Sequence, residues 1–179
     1  AYTFAQMKEL EARVRRVAEG ACLMTDTTVE VKILGENHDS KLNFTLAALA
    51  HDCMEAIGAP RFTEEEKAYA RQVAQAVGLP GVEGELDESI LPVDGTIKKD
   101  NGSSDVADVS QIVPVVNINT ACYGRKTPNH SWAVTVQADK PAAHRGMLFA
   151  AKTLALMGTR LATEPTLLAA VRAEFEQAE

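Results

Sequence analysis

The chain has 179 residues, 46% of them hydrophobic, enough for an ordinary packed core, and a formal charge of −7. That charge argues against phosphate backbones and anionic membrane surfaces as partners, since the average field attracts neither. No apolar run approaches the roughly 20 residues a membrane-spanning helix needs. Neither nucleic acid nor membrane is therefore expected as a partner.

In chain order, Phe4, Met7, Leu10, Val14, Val17 and Ala21 recur at three- and four-residue steps, with Glu9–Arg13 and Glu11–Arg15 at four-residue spacing on the other side. This predicts an amphipathic helix. In "TDTTVEVKIL", Val29, Val31 and Ile33 alternate with Thr28, Glu30 and Lys32, the pattern of a half-buried strand over about residues 27 to 34. A helix and one strand cannot bury their apolar faces alone, so partner strands are expected from elsewhere. "GENHDSKLN" reads as a polar linker in which His38 carries no signal.

Asn43 is a candidate N-cap for a helix carrying Leu46, Leu49, Ala50, Cys53 and Ile57, stopped by Gly58 and Pro60. "TEEE", Thr63 to Glu66, is a capping-box pattern opening a helix that ends near Gly78. Residues 79 to 104 show no clear period and include the acidic Glu83, Glu85, Asp87 and Glu88, read as a solvated loop. "SSDVADVSQIVP" predicts a capped short helix ended by Pro114. "VVNINTA" and "WAVTVQA" are candidate strands, with Trp132 as a core anchor. Pro141 opens a long helix, and Leu167, Leu168, Val171 and Phe175 line a final one. Alternating strands and helices predict an α/β layered architecture. Cys22, Cys53 and Cys122 are odd in number and far apart. Cys22 and Cys53, among apolar neighbours, read as buried reduced thiols of a cytoplasmic protein.

Few residues point to chemistry. His130, in "TPNHSW", follows a proline turn at the mouth of an apolar run, a place that could fix an imidazole as a metal ligand; the plainer reading is a surface histidine. His38, His51 and His144 stand at no ligand spacing to it; His51 reads as solvated helix surface and His144 as a first-turn residue that packs. In "GSSDVADVS", Ser104 and Asp105 could meet a substrate, although Ser103, Ser104 and Asp105 are all equally good helix caps. A serine nucleophile finds no support, because the glycine pattern is not that of a nucleophile elbow.

Taken together, "GSSDVADVSQIVP", "TPNHSW", and "GM" followed by "AAK" resemble the C-terminal part of the aminobenzoyl-glutamate utilisation protein B subgroup. That subgroup lies within the aminoacylase and glutamate carboxypeptidase superfamily of metal-dependent amidohydrolases. "AEGACLMTDTTVEV" is similar to the end of that family's inserted lid, and "LNFTLAALAHDCMEAIGAPRFTEEEKAYA" to the return into its catalytic domain. The resemblance implies that residues 1–35 form the second half of a ferredoxin-like lid that makes a homodimer. Residues 36–179 would form the second half of a mixed-sheet, metallopeptidase-like catalytic domain. It implies two divalent metal ions, zinc or manganese, with His130 a ligand of one. Ser104 and Asp105 would border the substrate, and Gly124 would stand where backbone approaches it. The substrate would be a small acyl-amino acid or dipeptide, with p-aminobenzoyl-glutamate the leading candidate. The remaining ligands and the general base would lie upstream in an N-terminal part of the same enzyme, leaving this chain without a catalytic base and inactive alone. A non-catalytic binding or dimerisation module with a structural His130 is the alternative.

Overall fold

A computed structural model describes residues 2–97 and 102–178. The predicted loop from 79 to 104 therefore lies partly outside the described residues. Seven helices are seen among them: α1 (Phe4–Thr25), α2 (Phe44–Ile57), α3 (Glu64–Val77), α4 (Val106–Val109), α5 (Trp132–Ala138), α6 (Pro141–Thr163) and α7 (Pro165–Gln177). The chain forms two compact units. The first comprises Ala1–Asn43, Thr96–Val115 and Glu174–Glu179; the second comprises Phe44–Gly95 and Val116–Ala173.

No strand is present among the described residues, which overturns the predicted α/β mixed-sheet architecture and the ferredoxin-like lid. The physical reason differs from segment to segment. Residues 27–34 carry the expected alternation but no ladder. Alternation records which side chains could share a face, whereas a strand also needs a second extended segment to take its N–H and C=O groups. Residues 115–121 keep the alternation without the pairing: Val116 and Ile118 pack on the core while Asn117 and Asn119 are exposed. "WAVTVQA" is a different error. It is helix α5, in which Ala133 and Gln137, four residues apart, are the buried pair. Trp132 is 54% exposed and is not a core anchor. Burial at i and i+4 outweighed the apparent two-residue period of Trp132, Val134 and Val136.

The other helices follow their signals. Thr63 caps α3 in a full capping box, its hydroxyl accepting from the Glu66 N–H while the Glu66 carboxylate accepts from the Thr63 N–H. Gly78, at φ +66°, closes the same helix. Gly58, at φ +81°, donates its N–H to the Met54 carbonyl and ends α2.

In the second unit α2 packs along α6. Leu46, Leu49, Ala50 and Cys53 of α2 meet Met157 of α6 and Val171 of α7. Phe62, Ala70, Leu86 and Ala142 form a second cluster, so the segment after α3 is anchored through Leu86. In the first unit α1 buries no residue completely. Its half-buried side is Phe4, Met7, Glu11, Arg15, Ala18 and Cys22, while Leu10, Val14, Val17, Leu23 and Met24 are exposed. All three cysteines are free thiols; Cys53 is buried and Cys22 only half so. No described helix is long and apolar enough to cross a membrane.

Candidate functional site

Three side-chain arrangements could carry chemistry, one around each predicted motif and one that the sequence did not signal. The first is the turn from Gly124 to Trp132. Its base is held rigidly: the Gly124 N–H donates to Gln137 Oε1 at 3.1 Å, and the Gly124 carbonyl accepts from Thr127 Oγ1 at 2.6 Å. A Cβ on Gly124 would stand 2.8 Å from the Cα of Gly84. Backbone packing thus accounts for this glycine, and its amide is already taken by Gln137. At the tip, Lys126 and His130 both have left-handed backbone, φ 58° and φ 55°. Such a conformation costs a non-glycine residue of order 1–3 kcal/mol and persists only where the surroundings impose it. Ser131 closes the turn by donating Oγ–H to the Pro128 carbonyl at 2.6 Å. His130 is exposed and lines an open depression with Asn129, Ser131, Trp132, Val134 and Thr135.

Among the described residues, no group of three His, Cys, Asp or Glu side chains could hold a metal ion. One imidazole does not close a coordination sphere. The donors among the described residues do not by themselves fit the metal centre that the resemblance implies.

The second arrangement lies in the other unit. The Ser104 hydroxyl accepts from the Val106 N–H at 3.2 Å and lies 3.5 Å from Asp105 Oδ1. Asp105 stands at the N-cap position of α4 yet makes no capping bond with its side chain. Both residues are exposed. Behind them, Asp108 Oδ1 accepts from the His38 backbone N–H at 3.0 Å and from His38 Nδ1 at 2.6 Å. Those hydrogen bonds from His38 hold the Asp108 carboxyl below its ordinary range. The predicted linker is therefore a working part of this unit, and His38 is its centre.

The third arrangement is a cleft of about 410 Å³ in the second unit, bordered by His51 and Met54 of α2, residues 87–93, and residues 116–125. The acidic stretch is only in part the solvated loop expected: Glu83 and Glu85 are exposed, whereas Asp87 and Glu88 are half-buried. The Glu85 carbonyl accepts from the Arg125 N–H at 2.7 Å, and Glu88 accepts from the Phe62 N–H at 2.8 Å and pairs with Lys67 at 3.2 Å. The Phe62 N–H, with Lys67 and Arg61, outweighs desolvation and lowers the Glu88 carboxyl. His51 reaches the cleft, half-buried, where its place on the polar side of α2 predicted open solvent. His144, by contrast, is exposed.

The structure thus puts His130 and Gly124 in one unit and Ser104 and Asp105 in the other. His38 and the 87–93 wall had no sequence signal, because their partners lie far along the chain.

No family model and no solved structure matches the chain. Among curated proteins, it is similar to a p-aminobenzoyl-glutamate hydrolase subunit of Escherichia coli strain K12, with 30% identity over 188 aligned residues. The match takes in 92% of this chain and 39% of that relative, so the chain spans about two fifths of the relative's length. The resemblance seen in the motifs therefore extends over nearly the whole sequence.

Proposed function

From that likeness we propose that this chain is part of a hydrolase that cleaves the amide bond of a small acyl-amino acid such as p-aminobenzoyl-glutamate. The observation that carries the reading is the likeness itself, which takes in 92% of the chain. Three features of the geometry support it. His130 is displayed, strained and exposed, at the tip of a braced turn. Ser104 and Asp105 are exposed, and the Asp105 carboxylate is not used as a cap. Both elements are fastened at their bases by buried groups, Gln137 in one and Ser110 in the other.

In this reading His130 would be one donor to a divalent ion, zinc or manganese, and the other donors would come from outside the described residues. The tasks of this chain's own residues are binding and orientation. An acyl-glutamate carries negative charge, so the Asp105 carboxylate suits the amide or amine N–H groups of the substrate and not its carboxylates. The Ser104 hydroxyl can donate to a carboxylate. The complete enzyme would combine this chain with a further part of the same polypeptide and would act as a homodimer.

The test is release of p-aminobenzoate by the complete enzyme, with metal content measured alongside. His130→Ala should lower both bound metal and turnover, the latter by at least about 100-fold, since even residues behind a ligand cost 10–100-fold when removed. The isolated 179-residue chain should show no turnover. Unchanged metal in His130→Ala would instead favour a non-catalytic module with a structural histidine.

A further inference from the structure

Ser104 and Asp105 sit on a stretch with little helix of its own, since α4 has only four residues. A single turn of helix is not stable alone, because nucleation fixes several residues for one hydrogen bond. Something else must hold residues 104–111 in place, and the segment 38–41 does so at three points. His38 donates to Asp108 Oδ1 twice, through its backbone N–H and through Nδ1. The Lys41 N–H donates to Ser110 Oγ at 2.8 Å, and the Ser110 hydroxyl donates in turn to the Ala107 carbonyl at 2.6 Å. Gln111 Nε2 donates to the Asp39 carbonyl at 2.7 Å. Ser110 is 2% exposed, so its hydroxyl has no alternative partner in water.

The tether is itself secured. The His38 ring stacks on Phe4, with centroids 3.9 Å apart and an interplanar angle of 14°. The Phe4 N–H, at the start of α1, donates to Asp39 Oδ1 at 2.8 Å. The ring is thereby clamped on its face by Phe4 and on its edge by Asp108.

We propose that His38 is a positioning residue for substrate binding: through Asp108 it sets the loop that presents Ser104 and Asp105. It touches neither substrate nor metal and acts only through that carboxylate. The inference rests on the proposed role of Ser104 and Asp105 and adds to it the group that orients them. Pre-organisation of this kind acts on binding, because a loop that must order itself when substrate arrives loses affinity by that ordering cost.

The test uses the complete enzyme with p-aminobenzoyl-glutamate, and three variants. His38→Phe keeps a planar ring over Phe4 but removes the Nδ1 donor; His38→Asn places an amide N–H close to the position of Nδ1; Asp105→Ala reports whether the loop binds substrate at all. His38→Phe should raise KM about tenfold with kcat and metal content little changed, a size typical of groups that orient a functional residue. Amide hydrogen exchange over 104–111 should quicken, while exchange in α2 and α6 should not. His38→Asn should restore both readouts, which a merely structural ring would not predict. Unchanged exchange in His38→Phe overturns the proposal. So does an unchanged KM in that variant when Asp105→Ala raises KM. If exchange quickens but neither His38→Phe nor Asp105→Ala alters KM, the tether stands and the substrate role of Ser104 and Asp105 fails instead.

Discussion

At the scale of single residues, the sharpest constraints are backbone approaches at glycine. A Cβ on Gly84 would lie 2.3 Å from the Ala70 carbonyl oxygen, and Gly84 also has φ +72°. Left-handed backbone costs a substituted residue about 1–2 kcal/mol and forced overpacking about 1–3 kcal/mol, so Gly84→Ala should destabilise the second unit by roughly 2–5 kcal/mol. A Cβ on Gly35 would meet nothing within 4 Å, and its φ is not in the left-handed region. Gly35→Ala should accordingly change the urea midpoint little, and equal effects of the two substitutions would refute the argument. Gly84 and Gly124 are neighbours through backbone, not side chain. One sequence shows that both are glycine, but not that the Gly84 backbone is what leaves no room for a side chain at Gly124.

At the scale of elements, α3 is the best-specified helix, and its cap is testable. Thr63→Ala removes the hydroxyl that takes the Glu66 N–H and should cost about 1 kcal/mol in equilibrium unfolding. Glu66 closes the box and also accepts from Arg145 Nε at 2.9 Å. Burial works to raise its pKa, but the Thr63 N–H and the Arg145 guanidinium outweigh burial and hold it below 4.5. A carboxylate lowered in the folded state stabilises fully above its unfolded value, and that contribution disappears as pH falls through the folded one. Wild-type melting temperature should therefore drop as pH is lowered through and below the ordinary carboxylate range, and Glu66→Gln should show a shallower drop over the same interval. Parallel curves would mean that the pair contributes nothing. The same box was visible in "TEEE", because a cap is a four-residue affair. The partner of Glu66 across 79 residues was not.

At the scale of the whole molecule, apolar residues are unevenly used. Leu49 is 2% exposed at the centre of the α2–α6 packing, whereas Val14 and Val17 on α1 are 66% and 72% exposed. Leu49→Ala should cost about 2–5 kcal/mol through lost burial and a residual cavity. Val14→Ser should stay within about 0.5 kcal/mol, as surface substitutions do. Guanidinium unfolding of the chain measures both, and a Val14→Ser loss near that of Leu49→Ala would show that the α1 face is covered in solution.

Read without its fold, the chain yields whatever neighbouring residues settle among themselves. Periods of three and four located α1, α2, α6 and α7 and the capping box located α3; glycine marked the ends of α2 and α3, and Pro141 the start of α6. The resemblance was carried by contiguous motifs and survives comparison over nearly all of the chain. The remainder depends on contacts made only once the chain is folded. The alternation at 27–34 and 115–121 could not say whether another segment would lie alongside, and "WAVTVQA" became a helix once Ala133 and Gln137 were the residues buried. His38 gained its role from Asp108, 70 residues away, and the acidic 85–88 stretch gained its partners from Phe62, Lys67 and Arg125. A period or a cap is a property of neighbours along the chain. A partner is a property of the fold, and no short window of sequence contains it.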